Sequence, residues 1–327
     1  MSEPLISIKN LSVSYRIREG LVNSVKGVSL ELYKNDVIAL IGESGCGKST
    51  LTSAILGTGA PNTVIDKASE ILWEGENVLH YSEEELRQFR WVKAAMIFQA
   101  AQNALNPTLR IEEQFRDTMI DHGVSGGREQ DLERINELLS MVRLEADRVL
   151  PSYPHELSGG MRQRAIIALS MILNPEFLIL DEPTTALDTI TQHYIFDILT
   201  EVQQNTGTSM MLVTHDLSSA AKLCHRVGVM YAGQLVELGS ADEVFNAAQH
   251  PYAAALINAM PSIEGDVTRH KAIPGAMPDL LSRPAGCLFH PRCSHAMPRC
   301  REERPHLEQI SDGHWKACFL EKLDANH

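Results

Sequence analysis

The stretch Val37–Thr50 has the sequence VIALIGESGCGKST and decides the fold class. Val37–Ile41 is a short continuous apolar run, which is typical of a strand buried on both faces. Gly42–Ser49 matches the pattern G-x-x-x-x-G-K-[ST], and a helix is predicted from Lys48 to Leu56. A buried strand, a glycine-rich turn and a helix in this order predict a loop that binds phosphate.

The glycines of this loop let successive backbone N–H groups converge on phosphate oxygens, because no Cβ obstructs the approach. The partial positive charge at the start of the following helix strengthens the attraction. We expect Lys48 to bridge the β- and γ-phosphates of ATP and the Ser49 hydroxyl to ligate Mg²⁺. The residues predicted to contact the nucleotide are Gly42, Ser44, Gly45, Cys46, Gly47, Lys48, Ser49 and Thr50.

A second predicted strand, Phe177–Leu180, ends in two carboxylates, Asp181 and Glu182. A carboxylate at the end of a buried strand beside a phosphate loop holds Mg²⁺ through its water shell, which is the role predicted for Asp181. The adjacent Glu182 is predicted to polarise the attacking water. Alone, the pair fits a solvated strand end equally well, and the phosphate loop is what favours a Mg²⁺ site.

A third motif, Leu157–Arg164, has the sequence LSGGMRQR. Together with the two motifs above, it resembles the nucleotide-binding subunits of ABC transporters. In that family an LSGGQ-type signature at a helix N-terminus contacts the γ-phosphate of ATP bound by the opposite subunit. The resemblance assigns this contact to Ser158, Gly159 and Gly160, with Met161 in place of the final glutamine.

Other residues match the same family in order along the chain. The resemblance implies that Tyr15 stacks on adenine and that Gln99 joins Mg²⁺, the attacking water and the transmembrane partner. Asp188 stands in a segment similar to the D-loop, and His215 is similar to the switch histidine that contacts the γ-phosphate. The predicted catalytic residues are Glu182, His215, Gln99 and Lys48, and the predicted Mg²⁺ ligands are Ser49, Gln99 and Asp181.

Strands that alternate with helices predict a parallel sheet. The predicted fold is an α/β P-loop NTPase (RecA-like) core with an antiparallel β subdomain, a helical subdomain and a small Cys-rich C-terminal extension. Residues 1–98 and 166–255 form the predicted nucleotide-binding core, 99–165 the helical subdomain with the signature, and 256–327 the extension. A helix is expected over 190–206, a strand over 209–213, a hairpin over 227–238 and an extended linker over 261–286.

Four of the six cysteines stand beyond Gly286, at Cys287, Cys293, Cys300 and Cys318. In a reducing compartment such a cluster indicates a metal site before it indicates disulfides. Four thiolates suit either Zn²⁺ or an iron–sulfur cluster. Zinc ribbons favour pairs of closely spaced cysteines, which this tail lacks, so the spacing favours a 4Fe–4S cluster over Zn²⁺.

The tail also resembles the C-terminal extension of the oligopeptide/dipeptide importer ATPases. The matching segments are His250–Tyr252 and Pro274–Leu307. In some members of that subfamily this arrangement of cysteines binds a 4Fe–4S cluster. Arg292, Arg299 and Arg301 flank the cysteines, and they either offset the negative charge of a cluster or are solvated surface side chains.

The resemblance implies an ATP-hydrolysing subunit of an importer for di- or oligopeptides. Members of the subfamily also serve nickel complexes and oligosaccharides such as chitin or cellulose fragments, so these substrates stay open. The expected partners are a second, different ATP-binding subunit, two transmembrane permease subunits and an extracytoplasmic solute-binding protein. After Gln99 the acidic residue usual in the subfamily is absent from Ala100–Ala104, a region that faces the permease in relatives.

Charge and hydropathy restrict the function classes. With 29 Lys and Arg against 42 Asp and Glu, the net charge is −13. An acidic chain of this kind binds duplex DNA and anionic membranes poorly, because like charges repel. The longest apolar-rich stretch, Ala165–Leu173, is far shorter than the ~20 residues that span a bilayer. We therefore expect no nucleic-acid partner and a cytosolic chain that reaches a membrane only through a partner. The resemblance to importer ATPases implies a peripheral place at the cytoplasmic face of the inner membrane.

A soluble ABC ATPase that acts on nucleic acid or ribosomes is the alternative from a different class. The segment between Gln99 and Ser158 is too short for the long coiled coil of DNA-repair members. Translation-factor members usually carry two fused ATPase units, and this sequence contains one phosphate loop. The resemblance of the tail argues against an exporter.

Overall fold

The structure is a computed structural model that describes residues 3–99, 101–185, 187–259 and 273–323. The strands are β1 Ile6–Ile17, β2 Gly20–Leu32, β3 Val37–Ile41, β4 Thr63–Ile65, β5 Glu70–Trp73, β6 Glu76–Asn77, β7 Ala94–Ile97, β8 Phe177–Asp181, β9 Ser209–Val213, β10 Arg226–Tyr231, β11 Gln234–Ser240, β12 Glu308–Ser311 and β13 His314–Lys316. The helices are α1 Lys48–Ile55, α2 Glu83–Phe89, α3 Ile111–Asp121, α4 Arg128–Met141, α5 Ala146–Val149, α6 Gly159–Ser170, α7 Thr189–Thr206, α8 Leu217–Leu223, α9 Ala241–Ala247, α10 Pro251–Asn258 and α11 Pro298–Glu302.

The chain divides into two compact units. The first contains the described parts of Met1–Tyr33, Ile38–His80 and Val213–His327, and the second contains those of Lys34–Val37 and Tyr81–Leu212. The three-part division into core, helical subdomain and extension stays a prediction.

An antiparallel sheet in the first unit has the strand order β2-β1-β5-β6, with β4 paired to β1. In β2 the side chains of Val28, Leu30 and Leu32 are buried, whereas those of Ser29 and Glu31 between them are exposed. This period of two buries one face of the sheet and leaves the other to solvent. This sheet agrees with the antiparallel β subdomain of the predicted fold.

The same unit contains the neighbouring strands β12-β13-β11-β10-β3. Strand β10 pairs with β3 in parallel and with β11 antiparallel, around the turn at Ala232 and Gly233. Every residue of β3 is buried, as expected for a strand covered on both faces. Strands β12 and β13 come from the tail, and β13 pairs with β11, so the C-terminal extension continues this sheet.

A buried pair of titratable side chains fastens the tail to this sheet. Nε2 of His314 on β13 lies 2.8 Å from Oε1 of Glu237 on β11. The Glu237 carboxylate also accepts hydrogen bonds from the backbone N–H groups of Gln249 and His250, each at 2.8 Å. Burial nevertheless raises the pKa of Glu237, because removal from water disfavours the charged form more than these contacts favour it.

The second unit contains the strand order β9-β8-β7, with β7 and β8 parallel. Strands β8 and β9 are buried along their whole length, where the sequence predicted them. Helices α3 and α4 are separated by residues 122–127. The buried Asp131 accepts hydrogen bonds from Ser125 Oγ at 2.8 Å and Gly126 N–H at 3.1 Å. These side-chain bonds hold the residues directly before α4 in a turn instead of a helix.

The predicted linker lies partly outside the described residues, as does Ala100 in the altered segment after Gln99. From residue 273 to 286 it forms no regular helix or strand, but it is not a free spacer. The side chain of Met277 lies against Gly45 of the phosphate loop, and the Arg283 guanidinium donates to the carbonyl oxygen of Asn23. This segment is therefore packed on the first unit.

No helix in the described part of the chain is both long enough and apolar enough to cross a bilayer.

Candidate functional site

The phosphate loop between β3 and α1 has a backbone that two of its glycines make possible. The φ angles of Gly42 and Gly47 are 152° and 107°. A Cβ on Gly42 would lie 2.3 Å from the carbonyl oxygen of Met230, and a Cβ on Gly47 would lie 2.4 Å from that of Ser24. Any larger residue would therefore collide with the backbone of β10 or β2, and the loop geometry depends on both glycines.

Lys48 lies inside this loop and is 7% exposed. Its Nζ donates to the carbonyl oxygens of Gly42 at 2.8 Å and Glu43 at 3.0 Å. Helix α1 begins at Lys48 after Gly47, which has no side chain to cap the N–H groups of the first turn. An ammonium group, helix-start amides and a tight glycine turn together form an anion site, so the loop fits a triphosphate.

Tyr15 is held at the same end of α1. Its hydroxyl shares a hydrogen bond of 3.1 Å with Oγ1 of Thr50, which also bonds Oγ of Ser24 at 2.8 Å. The Tyr15 ring is half-buried. The structure thus brings Tyr15 and the predicted loop residues into one cluster, whose exposed members are Ser44, Gly45 and Ser49.

Cys46 turns its side chain away from solvent and is 0% exposed. Burial raises the pKa of its thiol, and the ammonium of Lys48, 3.5 Å from Sγ, opposes that effect only in part. A neutral buried thiol packs as a small apolar group. The backbone N–H of Cys46 donates to the carbonyl oxygen of Glu43 at 3.3 Å, and the predicted contact of Cys46 with the nucleotide stays a prediction.

In the second unit, two of the predicted catalytic residues, Gln99 and Glu182, are hydrogen-bonded to each other. Nε2 of Gln99 donates to Oε2 of Glu182 at 3.2 Å. The same carboxylate oxygen accepts from Oγ1 of Thr185 at 2.8 Å, a contact that sequence analysis missed. Glu182 has a φ of 49°, which is uncommon for a residue with a side chain and is frequent at functional sites. Asp181 precedes it at the buried end of β8, 5% exposed.

The signature and the predicted D-loop both supply helix N-caps. Oγ of Ser158 accepts from the N–H of Met161 at 3.3 Å at the start of α6, and Ser158 is exposed. Oδ1 of Asp188 accepts from the N–H of Thr191 at 3.0 Å at the start of α7, and its bonds to Thr191 lower the pKa of Asp188. Gly160 is packed so closely against Thr191 that an added Cβ would lie 2.8 Å from its methyl group. The N–H groups at a helix start attract anions. The predicted contact of the signature with phosphate stays a prediction.

His215 belongs to the first unit, comes after β9 along the chain and is exposed. Its predicted contact with the γ-phosphate stays a prediction, as do the roles of Gln99, Asp181 and Asp188.

The phosphate loop makes one contact that the sequence analysis missed. Arg292 of the tail forms two bonds to Glu43, with Nη1 2.7 Å from Oε2 and Nη2 2.9 Å from Oε1. The Arg292 side chain is 4% exposed. Arg292 is therefore not a solvated surface residue, and its positive charge faces Glu43, whereas Arg299 and Arg301 are exposed. No local pattern pairs residues separated by 249 positions.

The four tail cysteines Cys287, Cys293, Cys300 and Cys318 line one cavity, together with aromatic and histidine side chains. Burial raises the pKa of the thiols of Cys287, Cys318 and Cys293, that of Cys293 to about 11. Over residues 3–99, 101–185, 187–259 and 273–323, no group of three or more His, Cys, Asp or Glu side chains is arranged to hold a metal ion. The cavity has the predicted sulfur donors, but this geometry does not support the predicted 4Fe–4S or Zn²⁺ site.

Comparison with known proteins identifies the family. The ABC transporter sequence profile matches residues 25–185, and the profile of the oligopeptide/dipeptide transporter C-terminal region matches residues 236–300. The chain is 43% identical to the dipeptide transport ATP-binding protein DppD of Caldanaerobacter subterraneus subsp. tengcongensis, over 97% of each chain. This chain is an ABC transporter ATP-binding protein. It is also 38% identical to the oligopeptide transport ATP-binding protein OppD of Bacillus subtilis, over 98% of this chain and 90% of that protein.

Solved structures agree with this membership. A dimeric ATP-binding cassette, MJ0796, in a post-hydrolysis state with ADP and phosphate superposes with a TM-score of 0.64 at 27% identity, covering 72% of this chain and 98% of that one. The cassette cbiO1 of Clostridium perfringens has a TM-score of 0.64 at 25% identity, with 75% and 92% covered. The predicted P-loop fold and ABC-type ATPase are thereby confirmed.

The collision at Gly47 yields a prediction about ATP binding. We expect Gly47→Ala to lower the affinity for MgATP at least tenfold, because the added Cβ displaces the loop from the Ser24 carbonyl. The matched control is Gly75→Ala, where φ is 93° but nothing lies within 4 Å of an added Cβ. Isothermal titration measures the affinity and thermal unfolding checks that both variants fold. Wild-type affinity in Gly47→Ala would contradict the predicted role of the loop.

Proposed function

We propose that this chain is the ATP-hydrolysing subunit of an ABC importer that takes up di- or oligopeptides. The supporting observation is that one chain combines the ABC transporter profile with the oligopeptide/dipeptide transporter C-terminal region. The relatives named for dipeptide and oligopeptide transport match it over nearly its whole length. A nucleic-acid or ribosome function has no comparable support.

The phosphate loop is the proposed site of triphosphate binding. The N–H groups of the glycine turn and of the start of α1 hold the phosphates, and Lys48 neutralises charge on the β- and γ-phosphates. Ser49, Gln99 and Asp181 are the proposed Mg²⁺ ligands, and the ion supplies further neutralisation of phosphate charge. The Tyr15 ring, tied to Thr50, provides a surface for adenine.

Glu182 is the proposed base for hydrolysis. It accepts a proton from water as the water oxygen attacks the γ-phosphorus in line, and the bond from the γ-phosphorus to the bridging oxygen of ADP breaks. The hydrogen bonds from Gln99 and Thr185 fix the Glu182 carboxylate, which supports this assignment. His215 contributes a contact to the γ-phosphate.

A second ATP-binding subunit completes each site in this proposal. The exposed Ser158, together with Gly159 and Gly160 at the start of α6, faces ATP held by the other subunit, and Asp188 lies at the same contact. The two subunits are different chains, and they act on two transmembrane permease subunits that receive substrate from an extracytoplasmic solute-binding protein. The assembly places this chain at the cytoplasmic face of the inner membrane.

The role of Glu182 is tested by Glu182→Gln. We expect this variant to bind MgATP as the wild type does and to hydrolyse it about 10²–10⁴-fold more slowly, the usual contribution of a general base. Glu133→Gln, an equal change at an exposed position of α4, is the control and should hydrolyse normally. Phosphate release by the assembled transporter measures the rate. A rate within twofold of the wild type would remove Glu182 from the mechanism.

The transported substrate is tested in the reconstituted transporter. We expect solute-binding protein loaded with a dipeptide or an oligopeptide to stimulate ATP hydrolysis and to deliver labelled peptide into vesicles. Chitin or cellulose fragments and nickel complexes are the comparison substrates. Uptake of one of these without uptake of peptide would replace the peptide assignment while retaining the importer.

The tail cysteines remain the proposed ligands of a 4Fe–4S cluster: all four line one cavity, although as described they are not arranged to hold a metal ion. We expect protein purified without oxygen to contain iron and sulfide in equal amounts and to show a broad visible absorbance that Cys293→Ser removes. Stoichiometric zinc without this absorbance would indicate the Zn²⁺ alternative. Absence of both metals would contradict a metal site in the tail.

A further inference from the structure

The contact between Glu43 and Arg292 joins the C-terminal extension to the phosphate loop. Glu43 is the residue after Gly42, and Arg292 lies in a short turn, residues His290–Arg292, directly before Cys293. The two bonds of 2.7 and 2.9 Å use both carboxylate oxygens and both terminal nitrogens. A bidentate arginine–carboxylate pair fixes the orientation of the carboxylate as well as its distance from the guanidinium group.

Several further bonds hold Arg292 in place. Its Nε donates to the carbonyl oxygen of Pro274 at 2.8 Å, and its backbone N–H donates to that of Phe289 at 2.9 Å. Its guanidinium carbon lies 5.8 Å from the ring centre of Tyr231. Arg292 is thus a rigid, nearly buried cation whose position the tail determines, unlike a surface arginine that would give a weak pair.

Glu43 is held at its backbone as well as at its side chain. Its N–H donates to the hydroxyl of the fully buried Tyr252 at 2.9 Å. Its carbonyl oxygen accepts from Nζ of Lys48 at 3.0 Å. One residue therefore connects the tail cation, the core tyrosine and the lysine that faces phosphate.

The contacts of Glu43 determine how the peptide groups at the start of the phosphate loop are oriented. Glu43 and Gly42 form the first bend of the loop, and a rotation of the Glu43 peptide would move the carbonyl that anchors Lys48. Without Arg292, the Glu43 carboxylate would be drawn toward solvent and the peptide would lose one of its restraints. Ordering the loop would then become part of the cost of binding ATP.

We propose that Arg292 is a positioning residue for ATP binding, which acts by holding Glu43 so that the phosphate loop is preformed. The C-terminal extension thereby contributes to nucleotide affinity within the same chain. This inference rests on the proposed role of the phosphate loop as the triphosphate site.

The test uses the full-length chain and MgATP. We expect Arg292→Gln to weaken MgATP binding at least tenfold. Arg292→Lys should have an intermediate affinity, because an ammonium group keeps the charge but cannot form the paired bonds of a guanidinium group to both carboxylate oxygens. Glu43→Gln should weaken binding to a similar extent, and the double variant should be no weaker than either single one, because both remove the same contact. Arg301→Gln is the matched control, since Arg301 also adjoins a tail cysteine but is exposed, and it should bind normally.

Isothermal titration and thermal unfolding are measured on every variant, and phosphate release by the assembled transporter is measured against ATP concentration. We expect KM for ATP to rise while kcat at saturation stays within twofold. Wild-type affinity in Arg292→Gln, or a lower unfolding temperature with unchanged affinity, would overturn the inference.

Two further outcomes separate this inference from the proposed function. If Arg292→Gln does not fold, Glu43→Gln carries the test, and wild-type affinity in that variant overturns the inference. If the unaltered chain binds no MgATP, the proposed ATP site fails and the inference falls with it. Weaker MgATP binding in the variants, with normal binding in the unaltered chain, supports both the proposed ATP site and this inference.

Discussion

The close approach of the phosphate loop to two backbone carbonyl groups is the constraint on which the rest of the site depends. Gly42 packs against Met230 of β10, and Gly47 packs against Ser24 of β2. These contacts fix where α1 begins, and therefore where Lys48 and the N–H groups of the first turn point. The buried strand β3 ends at Ile41, directly before Gly42, and so fixes where the loop begins. The conformation of the loop therefore depends on the strands that surround it.

Elements with a strong local pattern were predictable from the sequence. Strand β3, with five buried apolar residues, and helix α7 lie where the apolar runs and helical spacing placed them. Helix α7 begins at Thr189 because Asp188 caps it, one residue earlier than the periodicity indicated. Local sequence determines such elements because their burial and their caps involve near neighbours along the chain.

Contacts between distant parts of the chain could not be predicted in the same way. The motifs identified Glu182 as a candidate base, but only the structure shows that Thr185 shares its carboxylate with Gln99. The proline- and glycine-rich composition of residues 273–286 predicted an extended segment and gave no sign that it packs against the phosphate loop. Likewise, cysteine spacing predicted a shared location, whereas the placement of the sulfur atoms depends on packing in the tail.

The long sequence separation between Glu43 and its partner also matters for synthesis of the protein. Because the ribosome makes the chain from its N-terminus, the phosphate loop emerges long before Arg292, which stands 249 positions later. Strand β11 likewise emerges before its partner β13. The Glu43–Arg292 contact therefore cannot form until Arg292 has been translated, so this restraint on the phosphate loop is added after the loop itself has been made.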